Sequence, residues 1–378
     1  MKVMGDWLTR PATQGVFAAL AGHQVLAVGG CVRNALLWRA VSDVDMATDA
    51  LPDQVIACAE AAGLRAVPTG IDHGTVTVVS DGIAHEVTTF RRDVETDGRH
   101  AVVAYATDVA QDAARRDFTM NALYCTADGT VIDPLGGLPD LHAGRVRFVG
   151  DPAQRIAEDH LRILRFFRFH AHFATDGIDP EGLAACAAGA DGIDQLSRER
   201  IGAEVRKLLS AANPAPAVAA MALAGILARV LPGADPRSLA PLVHLERGAD
   251  PDWLRRLATL GGEDPSRHLR LSRAEERELE TLRDATGSLD SPAVLGWRLG
   301  LDRGADAIMV RAAVLLHPMP IGWASDLARG AGATFSVTAA DLMPALQGPA
   351  LGLRLAEMTD RWLASDLRLT RDDLLSGA

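Results

Sequence analysis

The first third of the chain alternates short apolar runs with segments of helical spacing. Residues 25–28 are uniformly apolar and predict a short buried strand. Residues 75–80 are rich in β-branched side chains and predict a second strand, and Asp81-Gly82 predicts the tight turn of a hairpin. Residues 85–90 then predict the returning strand. This pattern is typical of a mixed α/β domain.

The pattern changes in the middle of the chain. The segment from Arg91 to Asp112 is polar, contains glycine and has no clear period, so we predict a mobile loop there. At Asp151-Pro152 the pattern turns helical, because the aspartate can cap a helix whose first residue is proline. Helical spacing then continues through the rest of the chain.

Together these patterns predict an α+β fold, in which a small mixed α/β head domain precedes an elongated, all-helical neck, body and tail. We place the head at residues 1–145, the neck at residues 146–212, and the body and tail at residues 213–378. The chain has 378 residues, of which 48% are hydrophobic, and this is enough for more than one packed core.

Composition indicates the cellular compartment of the protein and limits the kinds of partner that it can bind. The four cysteines show neither metal-ligand spacing nor a pairing pattern, which fits reduced thiols in the cytoplasm. No apolar run approaches the roughly 18 residues that span a bilayer, and the first residues do not resemble a secretory signal, so no membrane is expected. The net charge of −11 argues against indiscriminate nucleic-acid binding. Any RNA contact must therefore be local and shaped, and nothing implies a protein partner.

Two glycines and two aspartates form the most informative cluster. Gly29-Gly30 follow the apolar run and precede residues of helical spacing, so the backbone N–H groups at the start of that helix can bind phosphate. The carboxylates of Asp43 and Asp45 are two residues apart, and on a strand they share one face, where they can bind hard cations such as Mg²⁺. A phosphate site next to a two-metal carboxylate pair is the equipment of nucleotidyl transfer.

Each of these motifs also has a simpler interpretation. Most Gly-Gly turns are only turns, and most Asp-x-Asp pairs belong to solvated loops or edge strands. The order of the two motifs and their short separation favour the functional interpretation. A dinucleotide-binding fold is disfavoured, because the third glycine of G-x-G-x-x-G is missing.

A second cluster lies in residues 115–122, which read Arg-Arg-Asp-Phe-Thr-Met-Asn-Ala. Arginine can bind phosphate oxygens with two parallel donors, and Asp and Asn can bond ribose hydroxyls. The candidates for such contacts are Arg116, Asp117 and Asn121. A salt-bridged helix start explains the same residues equally well.

The predicted helix from Pro152 places Glu158, Asp159 and Arg162 on one face. A carboxylate beside an arginine offers one acceptor next to a forked donor. Cytosine and adenine both present an amino donor beside a ring-nitrogen acceptor, whereas uracil and guanine present a carbonyl beside an N–H. An Asp159/Arg162 pair would therefore accept C and A and reject U and G. A surface ion pair is the alternative interpretation.

The motifs occur in an order typical of one family. The chain resembles the class II, bacterial-type CCA-adding enzymes (tRNA nucleotidyltransferases) of the DNA polymerase β-type superfamily. The matching segments, with x for any residue, are Gly29-Gly30-x-Val32-Arg33, Asp43-x-Asp45, Thr69-Gly70-x-x-His73-Gly74-Thr75, Glu86-Val87-Thr88-Thr89-Phe90-Arg91, Arg115-Arg116-Asp117-Phe118-Thr119-x-Asn121-Ala122, Asp133-Pro134-x-Gly136-Gly137-x-x-Asp140-Leu141, Glu158-Asp159-x-x-Arg162 and Ser197-Arg198-Glu199-Arg200-Ile201-x-x-Glu204. One departure is Asn34, where Asp is commoner. Asparagine keeps a hydrogen-bonding side chain, so we expect little consequence.

The resemblance implies roles for residues of the head. Gly30 and Arg33 would hold the incoming triphosphate, and Asp43 and Asp45 would hold the catalytic Mg²⁺ ions. Glu86 is a candidate third metal ligand. The polar segment after Phe90 matches the family's flexible loop, which helps the switch from C to A addition.

The resemblance also implies a wider nucleotide site and an RNA partner. The further nucleotide-binding residues would be Arg116, Asp117, Asn121, Asp159, Arg162, Arg165 and Arg168. Of these, Asp159 and Arg162 would recognise the base of CTP or ATP. The helical remainder would hold the acceptor arm of tRNA by shape and phosphate contacts.

Other activities remain open at this stage. A poly(A) polymerase of the same superfamily, or an enzyme that adds only CC or only A, would share most of these motifs. Residues 68–75 lack the basic stretch typical of poly(A) polymerases, which favours CCA addition. A non-catalytic RNA-binding relative would have lost Asp43 and Asp45, and an enzyme that modifies small molecules would leave the helical half without a role.

Overall fold

The computed structural model describes residues 1–97, 100–246 and 248–376; the side chains of residues 72, 92–97 and 100–103 lie outside this description. Its strands all lie within the first 132 residues, as far as the described part of the chain shows. They are β1 Val25–Val28, β2 Asp45–Thr48, β3 Arg65–Gly70, β4 Thr75–Ser80, β5 Ile83–Thr89, β6 Arg91–Asp97, β7 His100–Tyr105, β8 Tyr124–Cys125 and β9 Val131–Ile132.

Seven of these strands form one mixed sheet, in the order β3-β4-β5-β2-β1-β8-β9. Strands β2 and β5 pair in parallel, and the other neighbouring pairs are antiparallel. The predicted hairpin turn lies between β4 and β5, and both Asp81 and Gly82 have the positive φ that such a turn requires. The strands predicted at residues 25–28, 75–80 and 85–90 are therefore confirmed.

The α-helices precede, separate and follow these strands along the chain. In chain order they are α1 Asp6–Thr9, α2 Pro11–Ala19, α3 Gly30–Leu36, α4 Pro52–Ala61, α5 Val109–Ala114, α6 Leu138–His142, α7 Pro152–Glu158, α8 Leu161–Phe173, α9 Pro180–Ala188, α10 Arg198–Leu209, α11 Ala215–Leu223, α12 Ile226–Val230, α13 Leu239–Leu245, α14 Trp253–Leu260, α15 Pro265–Leu269, α16 Arg273–Gly287, α17 Pro292–Leu315, α18 Trp323–Ala331, α19 Ala339–Leu342, α20 Gly348–Ala364 and α21 Arg371–Ser376. The α+β class, with a mixed head followed by helices, is confirmed. Within the described chain, no helix is both long and apolar enough to cross a membrane.

The described residues divide into two compact units. The first consists of Met1–Leu208 and Ala220–Val230, and the second of Leu209–Ala219 and the described residues from Leu231 onward. The core of the first unit includes Leu26, Val28, Ala47, Phe90, Ala113, Ala122 and Tyr124. A core in the second unit is built around Val337, Met358, Trp362 and Leu374. Our boundaries at residues 145 and 212 stay predictions.

The predicted loop between Arg91 and Asp112 is wrong in its secondary structure. Strands β6 and β7 pair there as a two-stranded antiparallel sheet, and α5 follows with Asp108 as its N-cap. Val94 is the one apolar residue of β6, so the strand has no period-two pattern. The strand is defined by its backbone pairing with β7, which a local pattern does not reveal.

Candidate functional site

The glycine pair forms the turn that the sequence predicts between β1 and α3. Gly29 is the N-cap of α3 and has a φ of 71°, a conformation that favours glycine. A Cβ at this position would lie 3.4 Å from Nη1 of Arg116 and 3.5 Å from the carbonyl oxygen of Asn121. The turn therefore brings the start of α3 next to a guanidinium group, and together they make a local environment suited to anions.

The carboxylates lie at the start of β2, on the neighbouring strand of the sheet. Asp45 is the first residue of β2, whereas Asp43 precedes the strand, so the prediction that both lie on a strand is wrong for Asp43. The alternation persists, because Val44 is 2% exposed while Asp43 and Asp45 are exposed. Asp45 is paired in register with Glu86 on the parallel strand β5.

These carboxylates repel one another. Although Asp45 is exposed by surface area, the protein atoms around its carboxylate limit its hydration and raise its pKa. The charges of Glu86 and Asp43 raise it further, whereas Arg116 opposes the shift. Among the described residues, no group of three or more His, Cys, Asp or Glu side chains is arranged to hold a metal ion. The arrangement is thus a pair of carboxylates with a third nearby, whose mutual repulsion a divalent cation would relieve.

Arg116 is held by two residues that the sequence analysis missed. Its Nη2 lies 3.0 Å from Oδ2 of Asp112, and its Nε donates to the hydroxyl of Tyr124 at 3.0 Å. The Tyr124 hydroxyl in turn donates to the same Asp112 oxygen at 2.8 Å. The i, i+4 spacing of Asp112 and Arg116 was a signal for this pair. Tyr124 belongs to strand β8, and no helical spacing relates it to Arg116.

The next candidates form a buried hydrogen-bonded chain. Oδ1 of Asp117 accepts from Nδ2 of Asn121 at 2.9 Å, and its Oδ2 accepts from Nε of Arg165 at 2.7 Å. Nη1 of Arg33 donates to the amide oxygen of Asn121. Although burial raises the pKa of Asp117, its partners Arg165 and Asn121 outweigh burial and hold it below its usual value. The structure thus joins four candidate residues from three separate segments.

The helix predicted from Pro152 is interrupted within the base-recognition motif. Helix α7 ends at Glu158, and Asp159 has extended dihedral angles (φ −155°, ψ 106°) before α8 begins at Leu161. Oδ1 of Asp159 accepts from the backbone N–H of Leu161 at 3.1 Å. This local bond competes with helix continuation, so the prediction that Asp159 shares a helical face with Arg162 is wrong.

Asp159 and Arg162 each have other partners. Oδ2 of Asp159 accepts from Nη2 of Arg200 at 2.7 Å. Arg162 is paired with Glu158, as its spacing predicts, and donates to the carbonyl oxygens of Arg155 at 2.8 Å and Arg115 at 3.1 Å. The donors and acceptors that would contact a base are therefore engaged within the protein.

Arg168 completes the set of candidates. Its Nε lies 3.1 Å from Oε2 of Glu204 on α10, and the Glu204 side chain is buried while that of Arg168 is partly buried. The motif that contains Arg200 and Glu204 thus supports α7 and α8 from the neighbouring helix. Neither residue was among the predicted site residues.

Two family models match parts of the chain. The model described as the poly A polymerase head domain matches residues 25–147. The model described as a probable RNA- and SrmB-binding site of polymerase A matches residues 177–237. The first match contains the glycine turn, the carboxylates and the Arg116 cluster.

Curated relatives match half of the chain or somewhat more. The mitochondrial CCA tRNA nucleotidyltransferase 1 of Homo sapiens is 44% identical over 190 residues, which cover 50% of this chain and 44% of that protein. The CCA-adding enzyme of Geobacillus thermodenitrificans is 40% identical over 240 residues, covering 63% of this chain and 54% of the relative. The chain thus spans about half the length of the curated relatives that it matches.

Solved structures match nearly the whole chain. The Bacillus stearothermophilus CCA-adding enzyme in complex with CTP has a TM-score of 0.72 and 29% identity, covering 95% of this chain and 94% of that one. The Thermotoga maritima CCA-adding enzyme complexed with tRNA-CCA has a TM-score of 0.70, covering 96% of this chain and 92% of that one, and at 19% identity this likeness concerns the fold alone.

Proposed function

We propose that this chain, whose residues 25–147 match the poly A polymerase head domain, is a nucleotidyltransferase that adds C, C and then A, from CTP and ATP, to the 3′ end of tRNA. The observation on which this rests is the meeting of three groups at the shared end of the central strands β1 and β2. They are the Gly29 turn, the guanidinium of Arg116, and the carboxylates of Asp43 and Asp45. Phosphate-binding and metal-binding groups side by side are what transfer of a nucleotide to a hydroxyl needs.

We propose Asp43 and Asp45 as the ligands of Mg²⁺, with Glu86 as a further candidate. Hard oxygen ligands suit this ion, and two carboxylates leave room for substrate phosphates and water in its coordination shell. When bound, Mg²⁺ would lower the pKa of the terminal 3′-hydroxyl and stabilise the departing pyrophosphate. The protein's own contribution is then chiefly positioning and charge stabilisation.

The remaining nucleotide contacts follow from the same geometry. Gly30 and Arg33 would bind the triphosphate with Arg116, while Asp117 and Asn121 would bind the ribose or fix the arginines that bind phosphate. These residues come from α3 and from the segment before β8. The buried Asp117–Asn121–Arg33 hydrogen bonds support a single fixed arrangement.

Base recognition would use Asp159 and Arg162, with Arg165 and Arg168 supporting that side of the site. Asp159 has to exchange its contact with Arg200, and Arg162 its contacts with backbone carbonyls, before either can bind a base. These exchanges replace one hydrogen bond by another, so their net cost is small.

The partner would be the acceptor arm of tRNA, bound by shape and phosphate contacts along the helical part of the chain. An acidic net charge of −11 suits a local contact of this kind better than a general affinity for RNA. All four cysteines are free thiols, which supports a reducing compartment, and we place the protein in the cytoplasm.

Primer extension tests this function directly. The protein is incubated with tRNA transcripts that end before CCA, after C and after CC, each with Mg²⁺ and CTP alone, ATP alone or both. We expect ordered growth that stops at CCA, resolved to single nucleotides. Growth that stops at CC would indicate a CC-adding enzyme, and a long A tail would indicate a poly(A) polymerase. No extension of any transcript would contradict transferase activity and favour an RNA-binding role.

A further inference from the structure

Phe173, the last residue of α8, lies against two guanidinium groups. The Cζ atom of Arg33 is 4.1 Å from the centroid of its ring, and that of Arg39 is 4.9 Å away. We propose that Phe173, together with Phe169, is a positioning residue that holds Arg33 in place for the triphosphate. This rests on the function proposed above and adds to it a residue outside the motifs of the sequence analysis.

Phe169 is the second aromatic contact of Arg33. Its ring is 4% exposed, and three guanidinium groups surround it: Arg33 at 5.1 Å, Arg165 at 5.6 Å and Arg168 at 4.8 Å from the centroid. The face of an aromatic ring carries negative potential and attracts cations most strongly where water is excluded. The ring therefore stabilises the close packing of three like charges.

The hydrogen bonds of Arg33 use neutral acceptors. Its Nε and Nη2 donate to the amide oxygen of Asn34 at 3.2 and 2.9 Å, and its Nη1 donates to that of Asn121. Burial lowers the pKa of Arg33 to about 10, with Arg168 and Arg39 lowering it further and Asp117 opposing. Amides and ring faces fix the guanidinium without a carboxylate on it, so its positive charge remains for a phosphate.

The same contacts join two parts of the site. Helix α8 has Arg162 and Arg165 in its first turns and Phe173 at its end, whereas Arg33 belongs to α3. Nη1 of Arg39, which follows α3, also donates to the carbonyl oxygen of His172 at 2.8 Å. The helix that would recognise the base therefore also fixes the arginine that would bind the triphosphate.

The test compares Phe173→Leu with Phe173→Tyr, which keeps the ring. Loss of the ring should raise KM for CTP, on tRNA ending before CCA, and KM for ATP, on tRNA ending in CC, by a similar factor of roughly three to thirty. The kcat values should stay within about twofold, because binding before the reaction and in the transition state is weakened alike. Phe173→Tyr should restore the wild-type KM values. Displacement of a fluorescent CTP analogue, without RNA, measures the same loss of affinity.

Several results would overturn the proposal. Unchanged KM values in a folded Phe173→Leu protein, or equal losses in the Leu and Tyr variants, would show that the ring does not position Arg33. A rise for one nucleotide alone would assign Phe173 to base recognition instead. Phe173→Met is the second variant if the Leu protein is unstable. If the wild-type protein extends no tRNA, the proposed function fails, yet CTP displacement still decides whether Phe173 supports triphosphate binding.

Discussion

At the scale of single residues, Asp45 combines a functional position with an unfavourable electrostatic environment. It faces Glu86 across the parallel strand pair, and reduced hydration of its carboxylate together with neighbouring carboxylates raises its pKa. Such local strain is common where a site is built for a ligand, since the groups that bind the ligand destabilise the protein without it.

We therefore expect opposite effects of Asp45→Asn on activity and stability. Transfer of C and A should fall at least on the order of a hundredfold, because an amide is a poor ligand for a hard cation. The melting temperature should stay the same or rise, since a repelled charge is removed. Primer extension and thermal unfolding of the same sample measure both.

Asp43→Asn is the companion variant and should lose activity as well. Surface-exposed Asp128, whose carboxylate is bound to Lys2 away from the cluster, provides the matched control, because Asp128→Asn should transfer normally. Near-normal turnover of either Asp43→Asn or Asp45→Asn would contradict a two-metal role.

The candidate residues of the head could be found in the sequence because each lies in a short motif whose chemistry is local. Asp112 could have been found from its i, i+4 spacing to Arg116, but Tyr124 and Phe173 could not. Tyr124 meets Arg116 from strand β8, and Phe173 meets Arg33 from a helix far along the chain, and no local spacing encodes these contacts.

At the scale of elements, the joint between α8 and α10 contains a histidine that is kept neutral. Nε2 of His172 donates to the carbonyl oxygen of Lys207 at 2.7 Å. Burial lowers the pKa of His172, the bond to Lys207 opposes the shift, and the charges of Arg168, Arg39 and Arg33 lower it further.

This histidine should make the fold sensitive to acid. Below its unfolded pKa of about 6.5, the unfolded chain binds a proton that the folded protein resists, so the free energy of unfolding decreases as pH falls from 7 toward 5. The slope from one such group is at most about 1.4 kcal/mol per pH unit. Urea unfolding at several pH values measures it.

His172→Gln isolates the contribution. Glutamine can still donate to the Lys207 carbonyl but does not titrate, so the variant should show a shallower decrease in acid and little change at pH 8. An identical pH dependence in both proteins would mean that His172 is protonated as easily in the folded state as in the unfolded one.

Elements with strong local signals were predicted correctly, and those defined by partners were not. The hairpin turn at Asp81-Gly82 has a backbone requirement visible in two residues. Strand β6 has one apolar residue and exists through its pairing with β7. The break at Asp159 arises because its side chain accepts a hydrogen bond from the first N–H group of α8. Helical spacing of the charged residues around it does not show this break.

At the scale of the whole molecule, the second unit contains a buried ionic network in addition to its apolar core. Glu246 is 5% exposed and accepts from Nε of Arg255 at 2.7 Å and Nη2 of Arg256 at 2.8 Å. Arg255 also donates to Oδ1 of Asp306 at 2.6 Å. The other carboxylate oxygen of Asp306 accepts from Arg303 at 2.6 Å. No local pattern in the sequence reveals this network, because its members are spread over about sixty residues.

Removing the central carboxylate should destabilise the second unit strongly. Glu246→Ala removes the carboxylate that two buried guanidinium groups share, and only Arg255 keeps its ion pair with Asp306. Breaking a buried ion pair in this way typically costs about 3–5 kcal/mol. The unfolding transition can be followed by tryptophan fluorescence in urea, and CTP affinity of the folded protein should be unchanged, since the nucleotide residues belong to the first unit.

Glu357→Ala is the matched control within the same unit. Glu357 forms an ion pair with Arg354 at 2.9 Å, but its side chain is 63% exposed, so its loss should cost less than about 1 kcal/mol. If both substitutions had the same small effect, the buried network would contribute no more to stability than a surface ion pair.

The residues that meet at the candidate site are far apart along the chain, and this has a consequence for how the site forms during synthesis. The glycine turn hydrogen-bonds through Gly29 to the carbonyl oxygen of Leu123, Asp45 lies beside Glu86, and Asp117 is bound by Arg165. Translation delivers these partners one after another, so a nascent chain that stops before Arg165 has the carboxylates but no complete nucleotide site. Nucleotide binding should therefore appear on the ribosome only after the end of α8 has emerged, well after the strands themselves have been synthesised.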